Sequence, residues 1–178
     1  MISYAITDPT TLDFNHLERD LKRFSQKASM IVYRDKSNSS MYDVEFVKAA
    51  KAFDFENVII HGDPVSANDA GADGVHLSSL QLGEIPDAKA MDLFVVVSTH
   101  SIEELKKAEL LGADMATFSP IFETPNKGLP VGLEVLAYAI SQVNIPVLAL
   151  GGILTQEQVR ACEMTGASGF ASIRYFGD

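Results

Sequence analysis

Gly112-Ala113-Asp114-Met115-Ala116-Thr117-Phe118-Ser119-Pro120-Ile121-Phe122-Glu123-Thr124-Pro125-Asn126-Lys127-Gly128 joins a turn, a short apolar run and a polar loop. Gly112 is a helix stop, because glycine tolerates the left-handed conformation at a helix end. Residues 115–118 read as a buried strand. Thr124, Lys127 and Gly128 follow its end and supply a hydroxyl, a cation and an open backbone, which suits a phosphate. The same turn recurs as Gly71-Ala72-Asp73-Gly74 and Gly166-Ala167-Ser168-Gly169. In each case an apolar run follows. A helix-stop-then-strand unit met three times supports a chain of repeated βα modules.

Working outward, seven further runs read as strands. Residues 2–6 stop at Thr7-Asp8-Pro9, and residues 29–33 end in Arg34-Asp35-Lys36. Residues 57–60 end at His61-Gly62-Asp63-Pro64. Residues 75–77 form a fourth strand and 93–97 a fifth that ends at Ser98-Thr99-His100. Residues 145–150 run into Gly151-Gly152, and 170–173 close the series. The runs are continuous and apolar, as in parallel strands buried on both faces. Between them, Phe14, Leu17, Leu21 and Phe24 recur at helical spacing, predicting a helix over 15–26. Ser101 with Glu104 reads as a capping box for a helix ending at Gly112. Residues 78–90 contain Gly83 and Pro86 and predict only a weak helix. Eight strand–helix units predict a closed (β/α)8 TIM barrel with its working face at the strand ends. Such barrels run to ~250 residues, so this one is minimal and lacks a full last helix. A doubly wound open sheet is the alternative.

The 178 residues, 47% hydrophobic and 21% charged, predict a single globular domain over 1–178. A net charge of −10 argues against a nucleic-acid or anionic-membrane partner, so any bound anion needs a local cationic pocket. Cys162 is the only cysteine. That excludes an internal disulfide framework and fits a cytoplasmic setting. The first eight residues carry neither a basic region nor a long apolar run, so neither a signal peptide nor a membrane span is expected.

The strand ends carry a resemblance. Ile6-Thr7-Asp8, Arg34-Asp35-Lys36, Gly71-Ala72-Asp73-Gly74-Val75-His76-Leu77 and Ser98-Thr99-His100-Ser101 come first. Phe118-Ser119-Pro120-Ile121-Phe122-Glu123-Thr124-Pro125-Asn126-Lys127 and Ala149-Leu150-Gly151-Gly152-Ile153 follow. In that order and spacing the chain resembles the thiamine-phosphate synthase superfamily, which includes the thiazole tautomerase TenI. The resemblance implies a phosphate-binding barrel that takes a small phosphorylated heterocycle. In the synthases a magnesium-bound pyrimidine diphosphate ionises and a thiazole phosphate captures the carbocation. Arg34 and Lys36 match the cations that hold the diphosphate, and Thr124 and Lys127 match loop contacts to phosphate. Ser98 lies in a matching segment. Gly151, Gly152 and Ser172 match the thiazole-phosphate cradle.

The chain also departs from that pattern. The synthases carry Asn-Asp at the third strand end, where this chain has His61 and Gly62. A second metal-binding aspartate falls on Gln81. No metal site is therefore expected, and Mg²⁺ enters only if the synthase alternative holds, with Asp63 as a shifted ligand. The tautomerase branch shares the glycine, but its catalytic histidine falls on Pro120. Proton transfer then passes to His61, His76 and His100, the histidines at the third, fourth and fifth strand ends, since imidazole titrates near neutral pH. The expectation is a TenI-like, metal-independent thiazole tautomerase, an isomerase. Thiamine-phosphate synthase, a transferase, is the first alternative, and a non-catalytic thiamine-precursor binding protein the second. The missing last helix leaves a flank for a second copy of the chain, so a homo-oligomer is expected.

Overall fold

The computed structural model describes residues 1–37 and 40–177; residues 38, 39 and 178, the last within the expected domain range, lie outside the described residues. The strands are β1 (Ile2–Ile6), β2 (Met30–Tyr33), β3 (Asn57–His61) and β4 (Gly74–Leu77). They continue with β5 (Phe94–Thr99), β6 (Met115–Phe118), β7 (Val147–Leu150) and β8 (Gly169–Ser172). Each pairs in parallel with the next, and β1 pairs with β8, Tyr4 opposite Ala171. The sheet is closed, so the (β/α)8 barrel holds and the open doubly wound alternative does not. Helices α1 (Leu17–Ser25), α2 (Asp43–Ala50), α3 (Pro64–Asp69) and α4 (Ile85–Ala90) alternate with the first strands. Helices α5 (Ile102–Leu111), α6 (Gly132–Ser141) and α7 (Gln156–Met164) follow.

Strand alternation divides the core in two. Tyr4, Ile6, Met30, Val32, Ile59, Val96, Met115, Leu148 and Ala171 pack together as one cluster. Their neighbours along the strands, among them Ala5, Ile31, Val58, Val97 and Ala116, pack in a second cluster with Leu21, Phe24, Phe46, Leu105 and Leu136 from the helices. Both faces of most strands are therefore dry, which accounts for the unbroken apolar runs.

The recurring turn belongs to the barrel's N-terminal end. Gly71, Gly112 and Gly166 have φ of +74°, +99° and +94°, a region that side chains other than glycine rarely enter. Two residues later the chain rejoins the sheet. Asp73 N–H donates to Val58 O, Asp114 N–H to Val95 O, and Ser168 N–H to Val147 O. The two aspartates add a second tie. Asp73 accepts from the Val58 N–H and pairs with Lys51, while Asp114 accepts from the Val95 N–H and pairs with Lys89 at 2.7 Å. The motif is thus a structural clasp that starts strands β3 and β5 in register with β4 and β6.

Two local expectations need correcting. The weak helix over 78–90 resolves into a 3-10 segment, Ser79–Glu84, followed by α4. At α5, Ser101 accepts from Glu104 N–H as expected, but the Glu104 carboxylate takes the His100 N–H and not that of Ser101. Among the described residues after β8 the chain forms a 3-10 turn, Arg174–Phe176. Phe176 is fully buried and stacks on Phe170 with centroids 5.6 Å apart. Among the described residues no helix is long and apolar enough to cross a membrane.

Candidate functional site

The C-terminal ends of all eight strands converge on one cavity of about 270 Å³. Its wall takes Ile6 from β1, Arg34 and Lys36 beyond β2, His61 from β3, and His76 with Ser78 and Ser79 from β4 and beyond. Ser98 and His100 come from β5, Ser119, Pro120, Thr124 and Lys127 from beyond β6, Leu150 and Gly151 from β7, and Ile173 from beyond β8. Nine of the eleven residues singled out in the sequence therefore share one mouth: Arg34, Lys36, His61, His76, Ser98, His100, Thr124, Lys127 and Gly151. Gly152 and Ser172 lie beside it. The Ser172 hydroxyl is committed to the backbone: it donates to Ile153 O and accepts from Tyr175 N–H. Sequence reasoning missed Ser78, Ser79, Ser119 and the apolar floor of Ile6, Leu150 and Ile173. Their position at strand ends was the available signal.

The three histidines are held differently. His61 lies beside Arg34 and Lys36; burial and then those two charges hold its pKa down to about 4. It is neutral at pH 7. His76 is buried, and burial, then His61 and Arg34, hold it down to about 3. Both of its ring nitrogens are engaged: Nδ1 with Tyr4 Oη at 2.9 Å and Nε2 with Ser98 Oγ at 2.8 Å. It faces the cavity from behind Ser98 and has no nitrogen left for a ligand or a metal. His100 reaches from the end of β5 to the end of β6, its Nδ1 3.1 Å from both Ser119 O and Ser119 Oγ. A carbonyl oxygen only accepts, so Nδ1 carries a proton toward Ser119 O, and Nε2 is the ring nitrogen without a partner among the described residues.

The β6 loop and the β7 end fit closely. Gly151 has φ +105°, and a Cβ there would lie 2.7 Å from Pro120 Cα. Gly152 has φ +69°, and a Cβ would lie 2.4 Å from Glu123 O. Only glycine meets both demands. Ile121 N–H and Phe122 N–H donate to Leu150 O and Gly151 O, so the loop carrying Thr124 and Lys127 is tied to the β7 end.

The donor set does not fit a magnesium ion, which wants oxygen ligands in near-octahedral array. Among the described residues no carboxylate lines the main cavity. Both oxygens of Asp63 cap α3, accepting from Val65 N–H and Ser66 Oγ–H. Gly62 has no side chain, and the Gln81 amide donates to Gly62 O and to Glu84 while accepting from Ser78 N–H. Asp35, Asp43 and Asp63 line a neighbouring cleft of about 250 Å³ behind Lys36 and His61. Among the described residues no three His, Cys, Asp or Glu side chains are grouped to hold a metal.

A family model described as thiamine monophosphate synthase matches residues 3–176. The chain belongs to that family. The thiamine-phosphate synthase of Syntrophomonas wolfei is 31% identical to it over 184 residues, covering 96% of this chain and 85% of its own. That of Halalkalibacterium halodurans is 34% identical over 165 residues, 84% and 75% of the two chains. Among solved structures, a thiamine phosphate pyrophosphorylase from Pyrococcus furiosus superposes with a TM-score of 0.81 at 28% identity. That match covers 97% of this chain and 85% of the other. The superfamily read from the strand ends is the right one. Within it, the names of these relatives favour the synthase alternative over the tautomerase expectation.

Proposed function

We propose that this chain joins two phosphorylated heterocycles as a thiamine-phosphate synthase. The observation that carries the proposal is the pairing of two cationic edges around one mouth. Arg34 and Lys36 stand beyond β2, and Lys127 with Thr124 beyond β6. One edge suits a diphosphate leaving group and the other a phosphate on the second substrate, since cations hold phosphate through charge-assisted hydrogen bonds. Similarity over nearly the whole chain to proteins named thiamine-phosphate synthase supports the same reading.

In this reading the bond between the pyrimidine methylene carbon and the diphosphate oxygen breaks, and the diphosphate leaves with the electron pair. Arg34 and Lys36 hold the developing negative charge where it forms, which lowers the barrier to ionisation. The thiazole nitrogen then donates its lone pair to the methylene carbon and the new C–N bond forms. Lys127, Thr124 and the Gly151–Gly152 backbone anchor the thiazole phosphate so that its ring faces that carbon. The donors present do not fit magnesium, and no step here is assigned to it.

A specific feature favours a second reading. His100, its Nδ1 tied to Ser119 O, lines the mouth together with Pro120, so proton relocation on a thiazole carboxylate phosphate is the competing activity. Both are tested together by incubating the protein with the pyrimidine diphosphate and thiazole phosphate, with and without Mg²⁺, and separately with the thiazole tautomer. Thiamine phosphate and pyrophosphate in equal amounts are expected. Accelerated tautomer conversion without coupling would overturn the synthase reading in favour of the second. Replacing Arg34 or Lys127 by Ala should raise KM for the substrate on its own edge by about 10- to 100-fold, the worth of one charged hydrogen bond.

A further inference from the structure

Tyr4 lies at the centre of the barrel, fully buried, and its ring stacks on His76 at 5.6 Å. It takes no part in the two-edged mouth, yet it is wired to it. Tyr4 Oη, His76 Nδ1, His76 Nε2 and Ser98 Oγ form one unbranched chain of two hydrogen bonds, 2.9 and 2.8 Å long. Only the last member, Ser98, is partly open to the cavity.

The chain has two proton arrangements, and they differ at its buried end. In one, the Tyr4 O–H donates to Nδ1, the Nε2–H donates to Ser98 Oγ, and the Ser98 O–H is left to donate into the cavity. In the other, Nδ1–H donates to Tyr4 Oη and Ser98 donates to Nε2. The Tyr4 O–H then needs an acceptor of its own, and Tyr4 Oη has no partner besides His76 among the described residues. An unsatisfied buried donor is costly, so the first arrangement prevails. Burial holds Tyr4 in its protonated form and His76 in its neutral form, so the chain carries one proton at each junction and neither ring becomes charged at pH 7.

We infer that Tyr4 is a positioning residue: through His76 it fixes the Ser98 hydroxyl as a hydrogen-bond donor toward an anionic oxygen of the ligand. The class of ligand atom follows from the wiring. A side chain with its own lone pair engaged by Nε2–H presents an acceptor poorly and a donor well, and Ser98 shares its cavity with Arg34 and Lys36. An oxygen of a diphosphate or phosphate is the acceptor that suits all three. This step rests on the anion-binding reading above for the ligand, but not for the proton order.

The two are separated by measuring each alone. In the ligand-free protein, nitrogen-15 NMR of the His76 ring reads the tautomer directly. Protonated Nε2 with bare Nδ1 is expected at pH 7, and protonated Nδ1 would overturn the inference whatever the protein binds. Titration calorimetry with inorganic pyrophosphate reads the consequence. Tyr4→Phe keeps the ring and its stack and removes only the O–H. It should weaken pyrophosphate binding several-fold, as should Ser98→Ala, and the double substitution should be no worse than Ser98→Ala alone, because both act through one hydroxyl. In Tyr4→Phe neither tautomer gives Nδ1 a partner, so the His76 ring should lose its single tautomer and show a mixture of the two by nitrogen-15 NMR, a change that general loosening would not produce. Unchanged pyrophosphate affinity in Tyr4→Phe alongside a loss in Ser98→Ala would overturn the wiring. Failure of the unsubstituted protein to bind pyrophosphate would overturn the anion reading and the role given to Ser98, with the tautomer still decided by NMR.

Discussion

His61 and His76 stand next to each other at the ends of β3 and β4, with ring centroids 5.6 Å apart, and both are neutral in the fold. The consequence for stability follows from linkage. Their folded pKa values, about 4 and about 3, lie below the unfolded value of roughly 6.5. As pH falls below that value the unfolded chain takes up protons that the folded one refuses, so folding weakens. Between pH 7 and 5 the loss is about 2 kcal/mol for buried His76 and less for partly solvated His61. Urea denaturation at the two pH values should show it, and His61→Gln should make the dependence shallower. A flat profile over that range would contradict the burial assigned to these rings. The sequence marked both histidines as site residues. It set His61 apart because that residue stands where the family carries a site residue, but the tie of His76 to Tyr4 and Ser98 was not legible, since the fold brings those partners from β1 and β5.

At the scale of elements, the turn that revealed the repeat is the barrel's clasp, and the loop after β6 lines its mouth. Asp114 secures the turn end of that stretch: it holds the β5 start through Val95 N–H and pairs with Lys89 from α4. Asp114→Ala should cost about 1–3 kcal/mol, since it leaves a half-buried N–H without its acceptor. That lowers Tm by roughly 2–4 °C per kcal/mol in a chain of this size. Because Asp114 lies at the opposite end of the strand from the mouth, KM should stay unchanged, and calorimetry beside kinetics checks both. Most elements were legible within a residue or two, since continuous apolar runs and glycine stops are local signals. The segment over 78–90 was read only loosely, because Gly83 and Pro86 weaken its helical pattern. The Glu104 side chain's choice of the His100 N–H over that of Ser101 was not legible, being decided by the path of the chain out of β5.

For the whole molecule, eight strands close into a barrel, and among the described residues a 3-10 turn, Arg174–Phe176, follows the last of them. Within that turn Phe176 stacks on Phe170 and meets Tyr175 edge-on. Phe176→Ala should destabilise by about 3–5 kcal/mol, the range for emptying a buried aromatic site, and thermal unfolding would reveal a smaller cost if a second copy of the chain covered that turn. The fold was readable because the strand count and the repeated turn both constrain topology. The mouth was readable because barrel strand ends must carry the site. The reaction was not, because the family's carboxylate positions hold Gly62 and Gln81, and the names of relatives drew the reading from tautomerase to synthase. The most direct measurement is a crystal structure of the protein grown with thiamine phosphate and inorganic pyrophosphate. Pyrophosphate is expected against Arg34, Lys36 and Ser98, with the phosphate of thiamine phosphate against Thr124, Lys127 and the Gly151–Gly152 backbone. Either molecule bound outside this mouth, or both phosphates competing for one edge, would contradict the two-edged site.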